Sequence, residues 1–394
     1  MTPSARLQAA IDIVDEVIAA ARTGSAAADT LIARYFKARR YAGSKDRRAV
    51  RDLAYAAIRR AGEIPSSGRA ALIGLALDRP DLVPLFDGSP HGPAPIAPDE
   101  AGIEAGYVPA WLAEKLVRTI GRDELPALLE RAPLDLRVNR LKTTRDAVLR
   151  LLPDAEPGHL SPDALRLPEG TNVEALPAFE QGLIEVQDEG SQLIALATRA
   201  TPGLTIVDLC AGAGGKTLAL AGMMGGQGRL IACDVDRARL ARLAPRAERA
   251  GARTIETRLL DGGRETAALA DLAGQADIVL IDAPCSGSGT WRRNPEARWR
   301  LTPQRLARLA DMQAHVLAIG ARLVRPGGRL VYATCSLLED EGAAQIAAFR
   351  AGNPGWRIDP SPVQAGRASG DGRLLTPAHD RTDGFFIAAL DRPC

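Results

Sequence analysis

Asp208-Leu-Cys-Ala-Gly-Ala-Gly-Gly-Lys216 closes a short apolar run and leads into a segment of helical composition. Gly212, Gly214 and Gly215 allow a tight turn and a close backbone approach to a ligand, and the following helix offers N–H groups without intrahelical partners. Asp234 ends the next apolar run, 22 residues after Gly212, where a carboxylate accepts from ribose hydroxyls. A strand-end acid or a helix cap is the plainer role for Asp234. Working outward, strands are predicted at residues 205–209, 230–234, 254–259, 277–282 and 329–334, each short, apolar and ended by Gly, Pro or Asp. Helical stretches separate them. That alternation predicts an α/β fold, a parallel Rossmann-like sheet buried on both faces, with ligands beyond the carboxyl ends of its strands. A P-loop is the rival, because Gly215-Lys216-Thr217 resembles its end and residues 279–282 resemble a metal-binding strand, but its spacing needs glycine where Cys210 stands.

Two further strand ends carry thiols: Asp282-Ala-Pro-Cys285-Ser-Gly and Tyr332-Ala-Thr-Cys335-Ser. A nucleotide-like cofactor and a nucleophilic thiol at one sheet edge point to methyl transfer onto a pyrimidine. Carbon 5 of cytosine is a poor nucleophile until a thiolate adds to carbon 6, and a second thiol then assists proton removal or release. Ser336-Leu-Leu-Glu339 reads as a capping box, which predicts a helix starting directly after Cys335 with the thiol at its positive end, partly opposed by Glu339, Asp340 and Glu341. Asp282 is placed to hydrogen-bond the cytosine ring nitrogen and amine, and Lys216 to add positive charge near the base. A buried apolar cysteine, a helix cap and a surface lysine are the structural alternatives.

Composition narrows the class. The 394 residues imply two or three domains, and no run of about 18 apolar residues or signal-peptide pattern occurs, so the cytoplasm is expected and no membrane. The five cysteines form no C-x-x-C pair and the four histidines are scattered, so free thiols and no metal are expected. The net charge of +2 hides a local bias. Residues 34–60 hold ten Lys or Arg against Asp46 and Asp52, interleaved with Tyr35, Phe36 and Tyr41. A second cluster, Arg292, Arg293, Arg298, Arg300, Arg305 and Arg308, carries Trp291 and Trp299. Basic residues beside aromatics suit a phosphate backbone with stacked bases, although solvated helix faces read the same way.

Residues 5–78 are predicted helical, with Leu7, Ile11, Val14 and Ile18 at three- and four-residue spacing. Six prolines from Pro80 to Pro98 predict a linker, and residues 107–180 mix a helix at 111–119 with a strand at 134–139.

These motifs together resemble the RsmB/Nop (Nop/Sun) RNA cytosine-C5 methyltransferases. The resemblance is carried by Cys210-Ala-Gly-Ala-Gly-Gly-Lys-Thr217, Asp282-Ala-Pro-Cys-Ser-Gly-Ser-Gly289 and Ala333-Thr-Cys-Ser336. Leu136-Arg-Val-Asn-Arg-Leu-Lys142, Val186-Gln-Asp-Glu-Gly-Ser-Gln192 and Asp383-Gly-Phe-Phe386 extend it over roughly residues 107–392. Many members have Ala-Pro-Gly-Gly where this chain has Gly212-Ala-Gly-Gly215; the last two glycines are kept. The resemblance implies S-adenosylmethionine as donor and a seven-stranded class I methyltransferase sheet over 181–394. It also implies an RRM-like α+β domain over 107–180, a linker over 81–106 and a helical NusB-like RNA-binding domain over 1–80. It puts the nucleophile on Cys335 and the release-assisting thiol on Cys285; Asp282 and Lys216, read above as lying beside the base, complete the expected catalytic set. The cofactor segment falls on Cys210, Ala211, Gly212, Ala213, Gly214, Gly215 and Lys216, with Asp234, Asp261 and Asp282. The expected substrate is structured RNA, 16S rRNA first, acted on by a monomer. The alternatives are tRNA as substrate and a non-catalytic RNA-binding assembly factor.

Overall fold

The computed structural model describes residues 1–394, which form two compact units. One comprises Ala132–Gly289 and Gln304–Cys394, the other Met1–Arg131 and Thr290–Pro303.

The first of these units contains two sheets. The smaller has four antiparallel strands in the order β2-β3-β1-β4, where β1 is Leu134–Val138, β2 Glu156–Pro157, β3 Ala164–Leu167 and β4 Ile184–Val186. Leu136 stands opposite Leu165 on one side and Val186 on the other. Leu136, Val138, Leu165 and Ile184 bury against Val148 of the helix Arg145–Leu151.

The larger sheet begins with β5 (Thr205–Asp208), β6 (Arg229–Asp234), β7 (Ile255–Leu259), β8 (Ala276–Asp282) and β9 (Val324–Thr334). These pair in parallel as β7-β6-β5-β8-β9. Four antiparallel strands follow: β10 (Arg357–Asp359), β11 (Arg367–Ser369), β12 (Gly372–Leu375) and β13 (Phe385–Asp391). The continuous path β12-β13-β9-β8-β5-β6-β7 accounts for the expected seven strands, but the sheet has nine, because β11 extends the β12 edge and β10 also pairs with β13. The chain reverses its direction of travel across the sheet between β5 and β8, and that crevice is where such sheets bind ligands. One expectation fails at the edge: β7 is half-exposed, not buried on both faces, which suits its Glu256, Thr257 and Arg258.

The helical unit is built from Pro3–Thr23, Ala28–Ala38, Ser44–Arg60, Gly68–Asp78 and Ala110–Ile120. Leu7, Ile11, Val14 and Ile18 bury one stripe of the first helix, which Thr2 caps by accepting the Ala5 N–H and Gly24 ends at φ 70°. The stretch expected as a linker is packed into this unit. Leu82 and Phe86 enter its core, the Ile103 N–H bonds the Ala70 carbonyl at 3.0 Å, and the Gly106 N–H bonds the Arg60 carbonyl at 2.9 Å. Helix Ala110–Ile120 belongs here rather than with the small sheet, its first N–H held by Glu63 at 2.6 Å.

The two basic clusters turn out to be different in kind. In 34–60 the cations at 34, 37, 40, 45, 47, 48 and 51 are exposed, whereas Tyr35 and Phe36 are core residues, leaving Tyr41 as the exposed aromatic of those named. The second cluster is interior at both tryptophans and two arginines: Trp291 and Arg298 are fully buried, Arg292 and Trp299 nearly so, while Arg293 and Arg300 are half-buried and Arg305 and Arg308 exposed. Stacking platforms they are not. Segment 290–303 is instead a clamp on the helices. Arg298 donates to the carbonyls of Ile58, Arg59 and Ala61 at 2.7, 3.0 and 2.7 Å, and Trp299 Nε1 bonds the Ala61 carbonyl at 2.9 Å. A cation thus meets the carbonyls that helix Ser44–Arg60 cannot satisfy itself, where the helix dipole is negative. Glu296 does the converse, accepting the Ala28 N–H at 2.9 Å at the start of helix Ala28–Ala38. Burial lowers the Arg298 pKa to about 9.

Arg298→Met should therefore destabilise the helical unit by about 3 kcal/mol, since several carbonyls lose a charged donor. Hydrogen exchange should speed up in residues 28–61 while the amides of β5 and β8 keep their protection; unchanged exchange in both regions would show the clamp to be dispensable.

Candidate active site

The glycine turn sits directly after β5. Gly212 and Gly214 adopt φ 56° and 82°, a region that side chains rarely enter, and Gly214 caps helix Gly215–Met223. A Cβ on Gly214 would run into Leu243, so glycine is needed there for closeness as well as for conformation. At Gly215 the space is open, with only Gln187 Nε2 near, at 3.7 Å from where a Cβ would stand. Asp234 fastens the turn: its carboxylate accepts the Gly212 N–H at 2.7 Å and the Asp236 N–H at 2.7 Å. Each oxygen keeps a second lone pair for a ligand hydroxyl.

A cavity of about 300 Å³ opens beside this turn, lined by Cys210, Ala211, Ala213, Gly215, Lys216, Asp208 and Asp282 from the large sheet. Gln187, Asp188 and Ser191 line it from the segment after β4, and Arg239 and Arg246 from the helices after β6. Asp208 is fully buried, gives one oxygen to the Thr217 hydroxyl at 2.6 Å, and leaves the other without a hydrogen-bond partner. Burial raises its pKa to about 7. Lys216 Nζ pairs with Asp282 Oδ2 at 2.7 Å. Burial opposes the Lys216 charge, yet Asp282, and after it Cys335, hold its pKa above the ordinary lysine value. Lys216 therefore faces a carboxylate and a thiol rather than waiting on a phosphate. Burial, with Asp208 as the next cause, pushes the Cys210 thiol up.

The two strand-end thiols meet. Cys285 Sγ and Cys335 Sγ are 3.3 Å apart, both half-buried. Their loops leave β8 and β9, which pair in register from Ile278 with Arg329 to Asp282 with Ala333. The pairing continues past the strands, the Ala283 N–H bonding the Ala333 carbonyl at 2.8 Å and the Gly289 N–H the Cys335 carbonyl at 3.0 Å. A Cβ on Gly289 would collide with the Gly384 carbonyl, so the Gly287-Ser-Gly289 arm closes against the Asp383-Gly-Phe-Phe386 turn only because Gly289 and Gly384 lack one. The hydrogen bond with Cys335, then burial, raises the Cys285 pKa well above the ordinary thiol value, so Cys285 stays protonated.

The capping-box expectation fails. No helix begins after Cys335; residues 336–338 are irregular, Glu339–Glu341 is a single 3-10 turn, and the α-helix spans Ala343–Gly352. Ser336 turns inward to Glu341 instead. Asp261 is exposed two residues beyond β7 and does not line the cavity. Residues without a role in the sequence reading now have one. Arg137, buried in β1, donates to Gln187 at 2.6 Å and to the Gly215 carbonyl at 2.7 Å, tying the small sheet to the glycine turn. Arg246 bonds the Ala213 carbonyl at 2.6 Å and pairs with Glu185. Arg137 and Gln187 lie in two of the motifs quoted above, and that was their only signal.

A nine-strand Rossmann-like sheet with a ligand cavity at its switch point defines a class I methyltransferase fold. Residues 194–391 match the family described as 16S rRNA methyltransferase RsmB/F, and residues 108–174 match an RsmF/B-like, ferredoxin-like domain. The chain is 37% identical over 298 residues to a probable ribosomal RNA small subunit methyltransferase B of Synechocystis, covering 72% of this chain and 66% of that protein. It is 34% identical over 328 residues to ribosomal RNA small subunit methyltransferase B of Sodalis glossinidius, covering 80% of this chain and 74% of that protein. A methyltransferase homolog protein from Pyrococcus horikoshii has a TM-score of 0.63 at 27% identity, over 72% of this chain and 94% of that one. The chain belongs to the RsmB/F methyltransferase family, whose methyl donor is S-adenosylmethionine. The residues fit that group: an open backbone cradle at Gly215, an unpartnered buried carboxylate oxygen on Asp208, and Asp234 at the neighbouring strand end. No helix is long and apolar enough to cross a membrane.

The raised Asp208 pKa fixes a pH dependence. Unfolded, this carboxyl ionises near pH 4; folded, it ionises at about 7. The folded chain holds the extra proton between those values, so stability falls as pH rises through that window. From pH 5 to pH 8 the wild type should lose about 3 kcal/mol more than Asp208→Asn in urea unfolding without ligand. Parallel pH profiles would mean Asp208 is ionised throughout.

Proposed function

We propose that this protein methylates carbon 5 of a cytosine in structured RNA, with 16S rRNA as the substrate, through a transient bond between Cys335 and the base. The observation that carries the reading is the 3.3 Å pair of thiols, one of them electrostatically coupled to the Lys216 of the Lys216–Asp282 pair, at the edge that also bears the cofactor cavity. S-adenosylmethionine, when bound, supplies an electrophilic methyl group. The cavity and the turn beside it would hold it: Asp234, which fastens the turn from outside the cavity lining, at the ribose, the Gly212–Gly215 turn against its backbone-facing side, and Asp208 or Asp282 of the lining at its amine.

In this reading Lys216 stabilises a Cys335 thiolate, and the protonated Cys285 donates to it. Cys335 Sγ bonds carbon 6 of the ring, and the displaced electron pair makes carbon 5 nucleophilic. Once carbon 5 has taken the methyl group it gives up its proton to a solvent water, the electrons of that C–H bond restore the ring double bond, and the Cys335–carbon 6 bond breaks with its electron pair on the sulfur. Cys285, in contact with the departing sulfur, returns a proton to it as it leaves. Asp282 accepts from the exocyclic amine, which cytosine has and uracil lacks. The exposed cations of residues 34–51 supply phosphate contacts. The names of the relatives support rRNA as the substrate, and the cytoplasm, where ribosomes are made, as the site of action.

Two outcomes are expected. S-adenosylmethionine should raise the melting temperature, because a ligand that binds only the folded state stabilises it, and ATP with magnesium should not; a shift with ATP alone would favour nucleotide hydrolysis. Cys335→Ala should abolish methylation and give no covalent RNA complex, whereas Cys285→Ala should accumulate an RNA adduct that survives a denaturing gel. An adduct only in Cys335→Ala would exchange the two roles, and full activity in both variants would rule out a thiol mechanism.

A further inference from the structure

Glu341 is fully buried, six residues after Cys335, and its carboxylate collects donors from three directions. It accepts the Ser286 N–H at 2.8 Å and the Ser286 hydroxyl, the Ser336 hydroxyl at 2.6 Å, and the Gln313 side-chain amide at 3.0 Å. Ser286 directly follows Cys285, and Ser336 directly follows Cys335. Gln313 also holds the carbonyl of Pro284, on the other side of Cys285, at 2.9 Å. Ser288 closes the group, bonded to Ser336 at 3.1 Å and accepting the Leu337 N–H at 2.9 Å. Glu341 is itself fixed, its carbonyl accepting the Tyr332 hydroxyl at 2.8 Å.

A carboxylate buried without a cation in contact is a costly way to fill space, and apolar side chains at 286, 336 and 341 would pack the same volume more cheaply. What apolar packing cannot do is fix two separate loops in one register to within a few tenths of an ångström, as shared hydrogen bonds to one ion do. We infer that Glu341 is the positioning residue of the thiol pair: it grips the residue after each cysteine and so holds the two sulfurs in contact. This rests on the reading of those thiols as the reacting groups. A second effect follows the same geometry, since the Glu341 charge adds to the causes that keep Cys285 protonated while Cys335 attacks.

The test uses the full chain and a readout that needs no RNA. Diamide removes two electrons and two protons from a pair of thiols, joining them as a disulfide and becoming a hydrazine, so its rate reports how well the sulfurs are held together. After alkylation, peptide mass spectrometry follows the Cys285–Cys335 crosslink. The wild type should crosslink readily, and Glu341→Gln should slow that crosslink about tenfold or more while the thermal shift with S-adenosylmethionine is kept. In methylation assays the same variant should lose about a hundredfold in kcat with KM for RNA little changed, the split expected of a misplaced reacting group rather than a lost binding contact. Should Glu341→Gln fail to fold, Ser286→Ala and Ser336→Ala each remove one tether and should slow the crosslink individually. A wild-type crosslinking rate in every folded variant overturns the proposal. A slowed crosslink in a chain whose wild type methylates no RNA leaves the positioning role standing and removes the catalytic reading instead.

Discussion

Parallel pairing of β5, β8 and β9 is the constraint on which the site depends. Parallel strands deliver all their carboxyl ends to one edge, so segments far apart in the chain arrive together there. The glycine turn after Asp208, the Asp282-to-Cys285 loop and Cys335 are such ends, and the registers that set Asp208 beside Leu280 and Asp282 beside Ala333 place them in adjoining rows. Every polar contact in the site, from the Lys216–Asp282 pair to the two thiols, follows from that alignment.

The charge arrangement is uneven in a useful way. Burial makes Asp208 hard to ionise, whereas Asp282 keeps a cation at 2.7 Å. Two acids one strand apart thus present different faces to the cavity, one poised near neutrality and one paired. The thiols differ likewise in surroundings: Cys285 is held protonated by its neighbour and by burial, and Cys335 lies among the groups that hold the Lys216 pKa up. Chemically identical residues are thus made different by their surroundings.

Segment 290–303 is a different kind of feature. It leaves the sheet-bearing unit right after the Cys285 loop, joins the helices, and returns in time to begin helix Pro303–Leu323. Its Arg298 and Glu296 are capping groups supplied from outside the helices they cap, and its tryptophans are core. A cluster of arginines and tryptophans has the same composition whether it faces nucleic acid or fills an interior; burial alone separates the two, and here it favours the interior.

The chain's local patterns were enough to give the strands of the parallel sheet, the turn glycines and the identity of both thiols, because short apolar runs ended by Gly, Pro or Asp state their period and ends directly. The first helix was legible for the same reason, in Leu7, Ile11, Val14 and Ile18. Local pattern misled where the partner was remote. Ser336 and Glu339 looked like a cap, but a buried carboxylate five residues beyond Ser336 binds that hydroxyl more strongly than a helix terminus would, and the helix waits until Ala343. The proline-rich stretch looked like a linker because its few apolar residues, Leu82 and Phe86 among them, show no period, yet the helices take them into their core. The sequence by itself determined which chemistry is present: a glycine turn, two acids, a lysine and two cysteines at strand ends. Only the tertiary structure decided that the sulfurs touch, that Asp208 is desolvated and Asp261 is not, and that Glu341 joins two loops, because distances between sequence-remote atoms are set by strand register and burial, and neither is written in any single segment.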